Sequence, residues 1–295
     1  MSAAGFALVI AAAFCHAIWN FLVKRINGGP EFIWLFSAIG GVLYLPAVLY
    51  VLLVQKALPD WPQFAAICVS GVLHLVYFIV LQQGYRRGDL SLVYPAARAT
   101  GPLLATAFAV LVLGEKMSAQ SLAGALIIIA GVLFLTRAFP GKAARANAKA
   151  PVSLAFGAIT GCLIASYTVW DAWTVAVLLA SPILLDYASM GARVLLLFPY
   201  AMQHKAQMRM QWREHWPSVL GVAALSPLAY ILVLYALQFT PVTYVAPARE
   251  TSVLISVFLG TLLLGEGLEG GRREIARRAG WAAVIIAGMA LLTLG

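Results

Sequence analysis

Charged residues are scarce in this chain. Asp, Glu, Lys and Arg make up 11% of its 295 residues, hydrophobic residues make up 62%, and the mean hydropathy is +0.90. A soluble domain carries about twice as much charge, so a soluble fold is excluded. Apolar runs of about 20 residues cross a bilayer as helices, because a helix pairs its own backbone polar groups. The alternating pattern of a membrane barrel is absent, which predicts an all-α polytopic membrane protein.

Cysteine is also scarce, and motifs for covalent chemistry are missing. The three cysteines lie inside apolar runs, where a thiol usually serves as a small packing residue, so no disulfide framework is expected. The sequence has no Walker-type glycine loop, no dinucleotide or hydrolase motif, and no His/Cys cluster with metal-ligand spacing. We therefore expect no enzyme activity, no catalytic residue, no metal and no cofactor.

Ten apolar runs are long enough to be spanning helices. They cover residues 4–23, 31–54, 63–85, 91–113, 121–136, 152–174, 181–202, 217–239, 243–264 and 278–294. Turn signals such as Gly28-Gly29-Pro30 separate them. The longest polar gap, rich in Ala, Lys and Arg, divides the chain into two halves of five spans. This predicts a first repeat at 1–137, a basic linker at 138–151 and a second repeat at 152–295.

The two halves repeat the same motifs at a constant offset. The stretch VYPAARAT, which contains Arg98, returns as YVAPARET, which contains Arg249, and each copy runs on to Leu-Gly-Glu. The arginines lie 151 residues apart, as do Glu115 and Glu266, and HAIWN at 16–20 returns as YTVWD at 167–171. An odd number of spans per repeat makes the copies cross the membrane in opposite directions. Inverted repeats of this kind are typical of secondary transporters, whose sites lie near the midplane between the repeats.

The basic residues cluster in short loops. Of 20 Lys and Arg residues, three lie inside predicted spans, two lie in loops after even-numbered spans, and 15 lie in loops after odd-numbered spans. This distribution is typical of the positive-inside rule and of contact with anionic lipid headgroups. The net charge of +9 therefore indicates the lipid bilayer, and not nucleic acid, as a partner. The count predicts that the side with the odd-numbered loops, here called the basic side, faces the cytoplasm, with both termini outside.

One basic loop has two interpretations. The segment 205–216 mixes Lys and Arg with Met and Trp. It is either a short interfacial helix on an anionic leaflet or a solvated loop anchored by Trp216.

The chain resembles the EamA family of the drug/metabolite transporter superfamily. The residues that carry the resemblance are Leu113-Gly114-Glu115-Lys116, Leu264-Gly265-Glu266-Gly267, Gly124, Ala130-Gly131, Gly280, Ala287-Gly288, Trp19-Asn20 and Trp170-Asp171. The resemblance implies a bacterial inner-membrane protein with ten helices around a central cavity, lined by the first four helices of each half. It also implies transport of small metabolites without ATP. Many family members place both termini in the cytoplasm, opposite to the loop count.

Two arginines are the leading candidates for a substrate site. Arg98 and Arg249 lie in the fourth and ninth spans, soon after a proline, and an ionisable group at that depth is by default functional. A pair of guanidinium groups facing one cavity would bind a carboxylate, phosphate or phosphonate. Alternatively, each is neutralised by Glu250 or Asp171 and locks helices together. Because the second copy adds Glu250, we expect Arg98 to be the freer arginine and Arg249 to pair with an acid.

Other polar and aromatic side chains inside the spans are candidates as well. Predicted to line the substrate cavity are Trp19, Asn20, Tyr77, Tyr94, Trp170, Asp171, Tyr230 and Tyr244. Candidates for proton coupling or for internal ion pairs are Asp171, Glu250, Asp186, Arg193, His16 and His74. Asp186 and Arg193 are seven residues apart on one helix face, which favours an ion pair between them. For the rings and histidines, ordinary packing is the alternative.

The sequence thus predicts a secondary transporter that moves a small organic metabolite with an anionic group by alternating access. One alternative is a flippase for a lipid-linked anion such as a polyprenyl phosphate, and another is a membrane sensor or assembly partner that transports nothing. Substrate identity, direction, coupling ion and oligomeric state are not determined by the sequence.

Overall fold

The computed structural model describes residues 1–26, 28–88, 90–135, 150–264 and 271–295, and within these ranges it is helical with no strand. The helices are α1 (Ala3–Ile26), α2 (Pro30–Leu49), α3 (Trp61–Arg87), α4 (Leu90–Val112), α5 (Ala119–Leu135), α6 (Ala150–Ala176), α7 (Pro182–Gln203), α8 (Lys205–Leu237), α9 (Val242–Arg249), α10 (Thr251–Leu264) and α11 (Gly271–Leu294). A π-helical turn, Tyr50–Val54, extends α2. Most of the predicted linker at 138–151 and the second Gly-Glu at 265–266 lie outside the described residues.

The described helices make ten membrane crossings. Eight are long and apolar enough by length and composition alone. Helix α5, with 17 residues, is slightly shorter, and α9 and α10, with 8 and 14 residues, are two parts of one crossing. The predicted all-α, polytopic, ten-span fold is therefore confirmed.

The ninth crossing is broken beside its arginine. Pro247 has no backbone N–H to donate, and Glu250 N–H donates to the Pro247 carbonyl at 3.0 Å, which closes a tight turn after Arg249. The Thr251 hydroxyl donates to the Ala248 carbonyl at 2.8 Å, which satisfies an acceptor that the break exposes. Arg249 and Glu250 thus project from a helix break, as polar groups often do at transporter sites.

Most helix contacts join the two halves. They form equivalent pairs when each helix is replaced by its counterpart in the other half. Helix α1 packs on α8, and its counterpart α6 packs on α3. Helix α4 packs on α6, and the α9–α10 crossing packs on α1. In two further contacts a helix packs on its own counterpart: α2 packs on α7, and α5 packs on α11. This pattern is the one expected for two inverted five-helix repeats around a pseudo-two-fold axis.

Glycines bring α5 and α11 into close contact. A Cβ atom on Gly124 would meet the backbone of Leu292, and one on Gly288 would meet the backbone of Gly124. Small residues at such crossings allow helix backbones to approach closely in lipid. This pair closes one flank of the protein without lining its central cavity.

The first Leu-Gly-Glu motif caps a helix of the other half. Gly114 has a φ of +67°, a conformation that glycine adopts without steric cost, and it turns the chain after α4. The two carboxylate oxygens of Glu115 then accept hydrogen bonds from the backbone N–H groups of Val242 at 2.8 Å and Thr243 at 2.9 Å. These N–H groups open α9 and have no partner within the helix. Glu115 therefore fixes the start of the broken crossing that carries Arg249.

Candidate functional site

A cavity of about 320 Å³ lies between the halves and is lined by residues of both. Its wall includes Val23 in the last turn of α1, Ile33 in the first turn of α2 and Tyr85 in the last turn of α3. Those three turns lie at the basic side. No residue from the terminal turns of α3, α6, α7 or α8 at the opposite side lines it, among the described residues. The cavity therefore opens towards the basic side.

Arg98 is neutralised across the interface between the repeats. Its Nη1 donates to Glu250 Oε1 at 3.2 Å, and its Nη2 lies 2.8 Å from His16 Nε2. Because a guanidinium only donates, His16 must accept with Nε2, which requires the neutral ring with its proton on Nδ1. The Arg98 guanidinium also lies 5.3 Å from the centre of the Tyr94 ring. Arg98 thus links α1, α4 and the break after α9.

Arg249 has no carboxylate partner. No acidic oxygen of a described residue lies within 4.0 Å of its guanidinium. It lies 5.8 Å from the centre of the Tyr230 ring and lines the central cavity together with Tyr167. The expectation that Arg98 is the freer arginine is therefore wrong. Glu250 follows Arg249 in sequence, but the turn at the helix break directs its carboxylate to Arg98 instead.

Asp171 lies behind the cavity wall and not in it. Its carboxylate is completely buried, and Oδ2 lies 2.9 Å from His74 Nε2 and accepts a hydrogen bond from the Tyr230 hydroxyl at 2.5 Å. His74 and Tyr230 both line the cavity. The His74 ring also stacks on Tyr167, with 4.1 Å between ring centres. A cavity-facing histidine thus connects a buried carboxylate to the solvent-accessible space.

Asp186, Ser189 and Arg193 form a polar strip on the cavity face of α7. The predicted ion pair is wrong, since Asp186 and Arg193 make no salt bridge within 4.0 Å. Seven residues separate them by about 10 Å along the helix axis, which their side chains do not close here. Asp186 Oδ2, Ser189 Oγ and Arg193 Nε are buried without a hydrogen-bond partner among the described residues. Such atoms are costly to bury, and they lie beneath the surface of the cavity wall.

A second, smaller cavity separates the two arginines. Its volume is about 70 Å³, and its lining includes Arg98, Arg249, Glu250, Tyr167 and Tyr77. Glu250 Oε2 is buried without a hydrogen-bond partner. The two repeats therefore contribute one arginine each to a polar centre that is shared between both cavities.

Several predicted lining residues are not in the cavity wall. Asn20 donates to the His16 carbonyl of its own helix at 2.7 Å. Trp170 Nε1 donates to the Ala66 carbonyl at 2.9 Å and so joins α6 to α3. Tyr94 lies under the Arg98 guanidinium of its own helix, and Tyr244 packs near α5, where its hydroxyl accepts from Ser121 Oγ at 3.4 Å. Trp170 and Tyr244 thus join helices, whereas Trp19, Tyr77 and Tyr230 do line the cavity.

Tyr167 is the site residue that sequence reasoning missed. It lines both cavities, stacks on His74 and contacts Arg249. A signal for it exists, because Tyr167 is the counterpart of His16 at the offset of 151. The polar strip of α7 has no such signal, because the arginine and aspartate have no ionisable counterparts at that offset in α2.

Comparison with known proteins identifies the family. The sequence pattern of the EamA-like transporter family matches residues 3–137 and 152–294. The chain belongs to this family. It is therefore a multi-pass membrane protein of a transporter family in the drug/metabolite superfamily, which agrees with the expectation that it is not an enzyme.

A solved structure supports the fold of this EamA-like protein. A chain titled only as the crystal structure of a protein superposes with a TM-score of 0.72 at 16% identity, covering 100% of this chain and 98% of that one. At this identity the likeness shows the fold alone. No curated protein sequence matches the chain.

Proposed function

We propose that this EamA-like protein is a secondary transporter of the bacterial inner membrane that moves a small organic metabolite with an anionic group. Arg249 carries the proposal, because it faces the central cavity without a carboxylate partner. A buried charge that lacks a partner is costly. A carboxylate, phosphate or phosphonate group would neutralise it and accept two parallel hydrogen bonds from the guanidinium.

The cavity supports a small substrate. Its volume of about 320 Å³ lies at the lower end of the range for small-molecule sites, roughly 300–1,000 Å³. Asp186, Ser189 and Arg193 line the cavity from α7 and make that part of its wall polar. Aromatic rings of Trp19, Tyr77 and Tyr230 cover much of the rest.

Alternating access is supported by an asymmetry between equivalent tryptophans. Trp170 closes α6 onto α3 through its bond to the Ala66 carbonyl, near the opposite side. Its counterpart Trp19 lines the open cavity, and its Nε1 is buried without a hydrogen-bond partner. In an inverted repeat, exchanging the conformations of the halves generates the alternate state. In that state Trp19 would bond a carbonyl of α8, and Trp170 would be released.

The opposite surface already has a shallow site where the alternate opening would form. A depression of about 360 Å³ lies there, lined by Gln63, Ile67, Leu184 and Tyr235 among others. Gln63 Nε2 crosses it to the Leu178 carbonyl at 2.8 Å. We infer that this bond and that of Trp170 close the opposite side. By the loop count, the cavity then opens to the cytoplasm and both termini lie outside.

Thermal-shift screening tests the anion hypothesis. Purified protein is heated with amino acids, phosphonates, sugar phosphates and polyprenyl phosphates, because a ligand that binds the folded state stabilises it by mass action. We expect anionic solutes to raise the Tm and Arg249→Gln to weaken their binding at least tenfold. Lys116→Gln, which removes an exposed cation on the opposite side, is the control and should bind normally.

Three results would contradict the proposal. One is stabilisation by neutral or cationic compounds only. Another is full binding of an anionic hit by Arg249→Gln. The third is a hit that binds normally but is not moved across reconstituted vesicles. Polyprenyl phosphates as the only hits would instead favour the flippase.

A further inference from the structure

The first ten residues of α8 cannot lie in the hydrocarbon core together with the rest of that helix. Helix α8 has 33 residues, which corresponds to about 50 Å, whereas the hydrocarbon core is about 30 Å thick. The backbone at His215 is not helical, with φ −133° and ψ 22°, and it separates Lys205–Glu214 from a spanning part that begins at Pro217. The 21 residues from Pro217 to Leu237 are sufficient to cross. The interfacial segment, defined as residues 205–214, therefore lies at the basic side.

This interfacial segment presents three cations in one row. Lys205, Arg209 and Arg213 are spaced four residues apart, which places them along one helix face, and all three are exposed. None of them makes a salt bridge or a side-chain hydrogen bond with a described residue. The one acidic residue of the segment, Glu214, points to a different face and lies 4.0 Å from His215. The row is thus an unneutralised positive surface.

Two tryptophans flank the cationic row. Trp212 is 40% exposed and Trp216 is 52% exposed. By helical spacing, Trp212 lies on the same side of the helix as the cations, and Trp216 follows directly after the break at His215. Tryptophan is enriched where membrane and water meet, because its ring is apolar and its N–H is polar. Together with the cations, these rings are suited to the headgroup region of a leaflet.

The protein holds the interfacial segment in a fixed position. Its inner face buries Met208 and Gln211. Gln211 Nε2 donates to Glu31 Oε1 at 2.8 Å, and the same oxygen accepts from the Gly29 N–H at 2.9 Å. The segment is therefore attached to the start of α2, whose Ile33 lines the mouth of the cavity. A rigid surface of this kind loses little conformational entropy when it binds.

We propose that the face formed by Lys205, Arg209 and Arg213 is a docking surface for the headgroups of anionic phospholipids in the leaflet at the basic side. Each basic residue near an anionic surface strengthens the attraction roughly fivefold, so three act together to give about a hundredfold. The attraction falls off within a Debye length, which shortens from about 10 Å at 0.1 M salt to about 3 Å at 1 M. Charge complementarity favours phospholipid here, since the row faces no acidic group of the described chain.

The experiment measures the Tm of the full-length protein in vesicles of phosphatidylcholine with and without 30% phosphatidylglycerol. We expect the anionic lipid to raise the Tm of the parent protein by several degrees and 1 M salt to reduce that shift. The triple variant K205Q/R209Q/R213Q should lose at least half of the shift. Because its three positions are exposed, the variant should fold as the parent does in phosphatidylcholine alone.

A second triple variant, R25Q/R86Q/R87Q, is the matched control. It removes the same number of exposed cations from the same side, at the ends of α1 and α3, and should keep most of the shift. Equal losses in the two triple variants would show that the whole basic side attracts anionic lipid and would overturn the docking surface. An unchanged shift in K205Q/R209Q/R213Q, or a shift that is insensitive to salt, would overturn it as well. The readout is independent of transport, so it does not depend on the proposed substrate.

Discussion

Arg98 and Arg249 occupy equivalent positions in the two repeats but differ in what they contact. Arg98 forms an ion pair with Glu250, whose carboxylate is 6% exposed. Arg249 lies against the Tyr230 ring, and no acidic oxygen of a described residue is within 4.0 Å of its guanidinium. The motif occurs twice, but its two arginines have different partners in the structure. Arg98 joins the repeats through Glu250, and Arg249 is the arginine for which we propose an anionic ligand.

Removing Arg98 should therefore destabilise the protein more than removing Arg249. Arg98→Ala leaves the Glu250 carboxylate buried without its cation, a change that typically costs about 3–5 kcal/mol. Arg249→Ala leaves no acid behind and should cost less. The free energy of unfolding, measured in a denaturing detergent titration, compares the two. The double variant R98A/E250A should be more stable than R98A alone, and an equal cost for both arginines would contradict the assignment.

At the scale of helices, the position of Arg249 depends on the contacts that fix the broken ninth crossing. Glu115 of the first half caps α9 of the second, so the position of Arg249 is fixed by a residue of the other repeat. The tight glycine contact of α5 with α11 fixes the adjacent flank. Both contacts are structural, and both should affect stability before they affect substrate choice.

Loss of the Glu115 cap should weaken the start of α9. Glu115→Ala removes two charge-assisted hydrogen bonds from backbone N–H groups, and caps of this kind are worth about 0.5–2 kcal/mol. Glu115→Gln keeps one acceptor oxygen and should cost less. Unfolding free energies provide the measurement, with Glu214→Ala as a control, since that side chain is 61% exposed. If the control costs as much as Glu115→Ala, the cap contributes nothing.

A larger side chain at position 124 should destabilise the protein. Gly124→Val places branched carbons against the backbone of α11, and such overpacking costs about 1–3 kcal/mol. Gly280→Ala is the matched control, because nothing lies within 4 Å of a Cβ built there. We expect a lower Tm for Gly124→Val and little change for Gly280→Ala. A neutral Gly124→Val would mean that α5 and α11 separate readily.

At the scale of the molecule, the two halves share one topology and adopt different states. Among the described residues, the cavity wall includes terminal turns at the basic side and none at the opposite side. Trp170 is hydrogen-bonded near the opposite side, whereas Trp19 is not bonded. Under the proposed alternating access, such differences between equivalent residues would distinguish the two states.

Trp170→Phe should shift the protein towards opening at the opposite side. The substitution keeps a large ring but removes the hydrogen bond to the Ala66 carbonyl, and about 1 kcal/mol corresponds to a roughly fivefold change in population. Ser189→Cys in a background without native cysteines reports access, since Ser189 lines the cavity. A membrane-impermeant maleimide should label it faster from the opposite side in the Trp170→Phe variant.

Trp19→Phe should have the reverse effect. In the proposed alternate state Trp19 would bond a carbonyl of α8, and the variant lacks that bond, so labelling from the opposite side should slow. Identical labelling in both variants and the parent would contradict the exchange of roles between the tryptophans.

Hydropathy and spacing were enough to predict the ten spans, the two inverted repeats and the arginines at equivalent depths. Each of these depends on properties local to a segment or on a constant offset along the chain, both of which are visible in the sequence. The tryptophans, Tyr77 and Tyr230 were named as well, but which of them line the cavity was not determined. A helical period predicts which residues share a helix face, but it does not predict which helix or cavity that face contacts.

Only the tertiary structure decided how the ionisable groups pair. Arg98 reaches an acid 152 residues away, Glu115 caps a helix 127 residues away, and Asp171 is held by His74 and Tyr230 from two other helices. Such pairings depend on the angles at which helices cross and on the direction in which the turn after Arg249 places the Glu250 side chain. The sequence therefore determined which charges enter the membrane, and the packing of the two halves determined that Arg98, and not Arg249, pairs with Glu250.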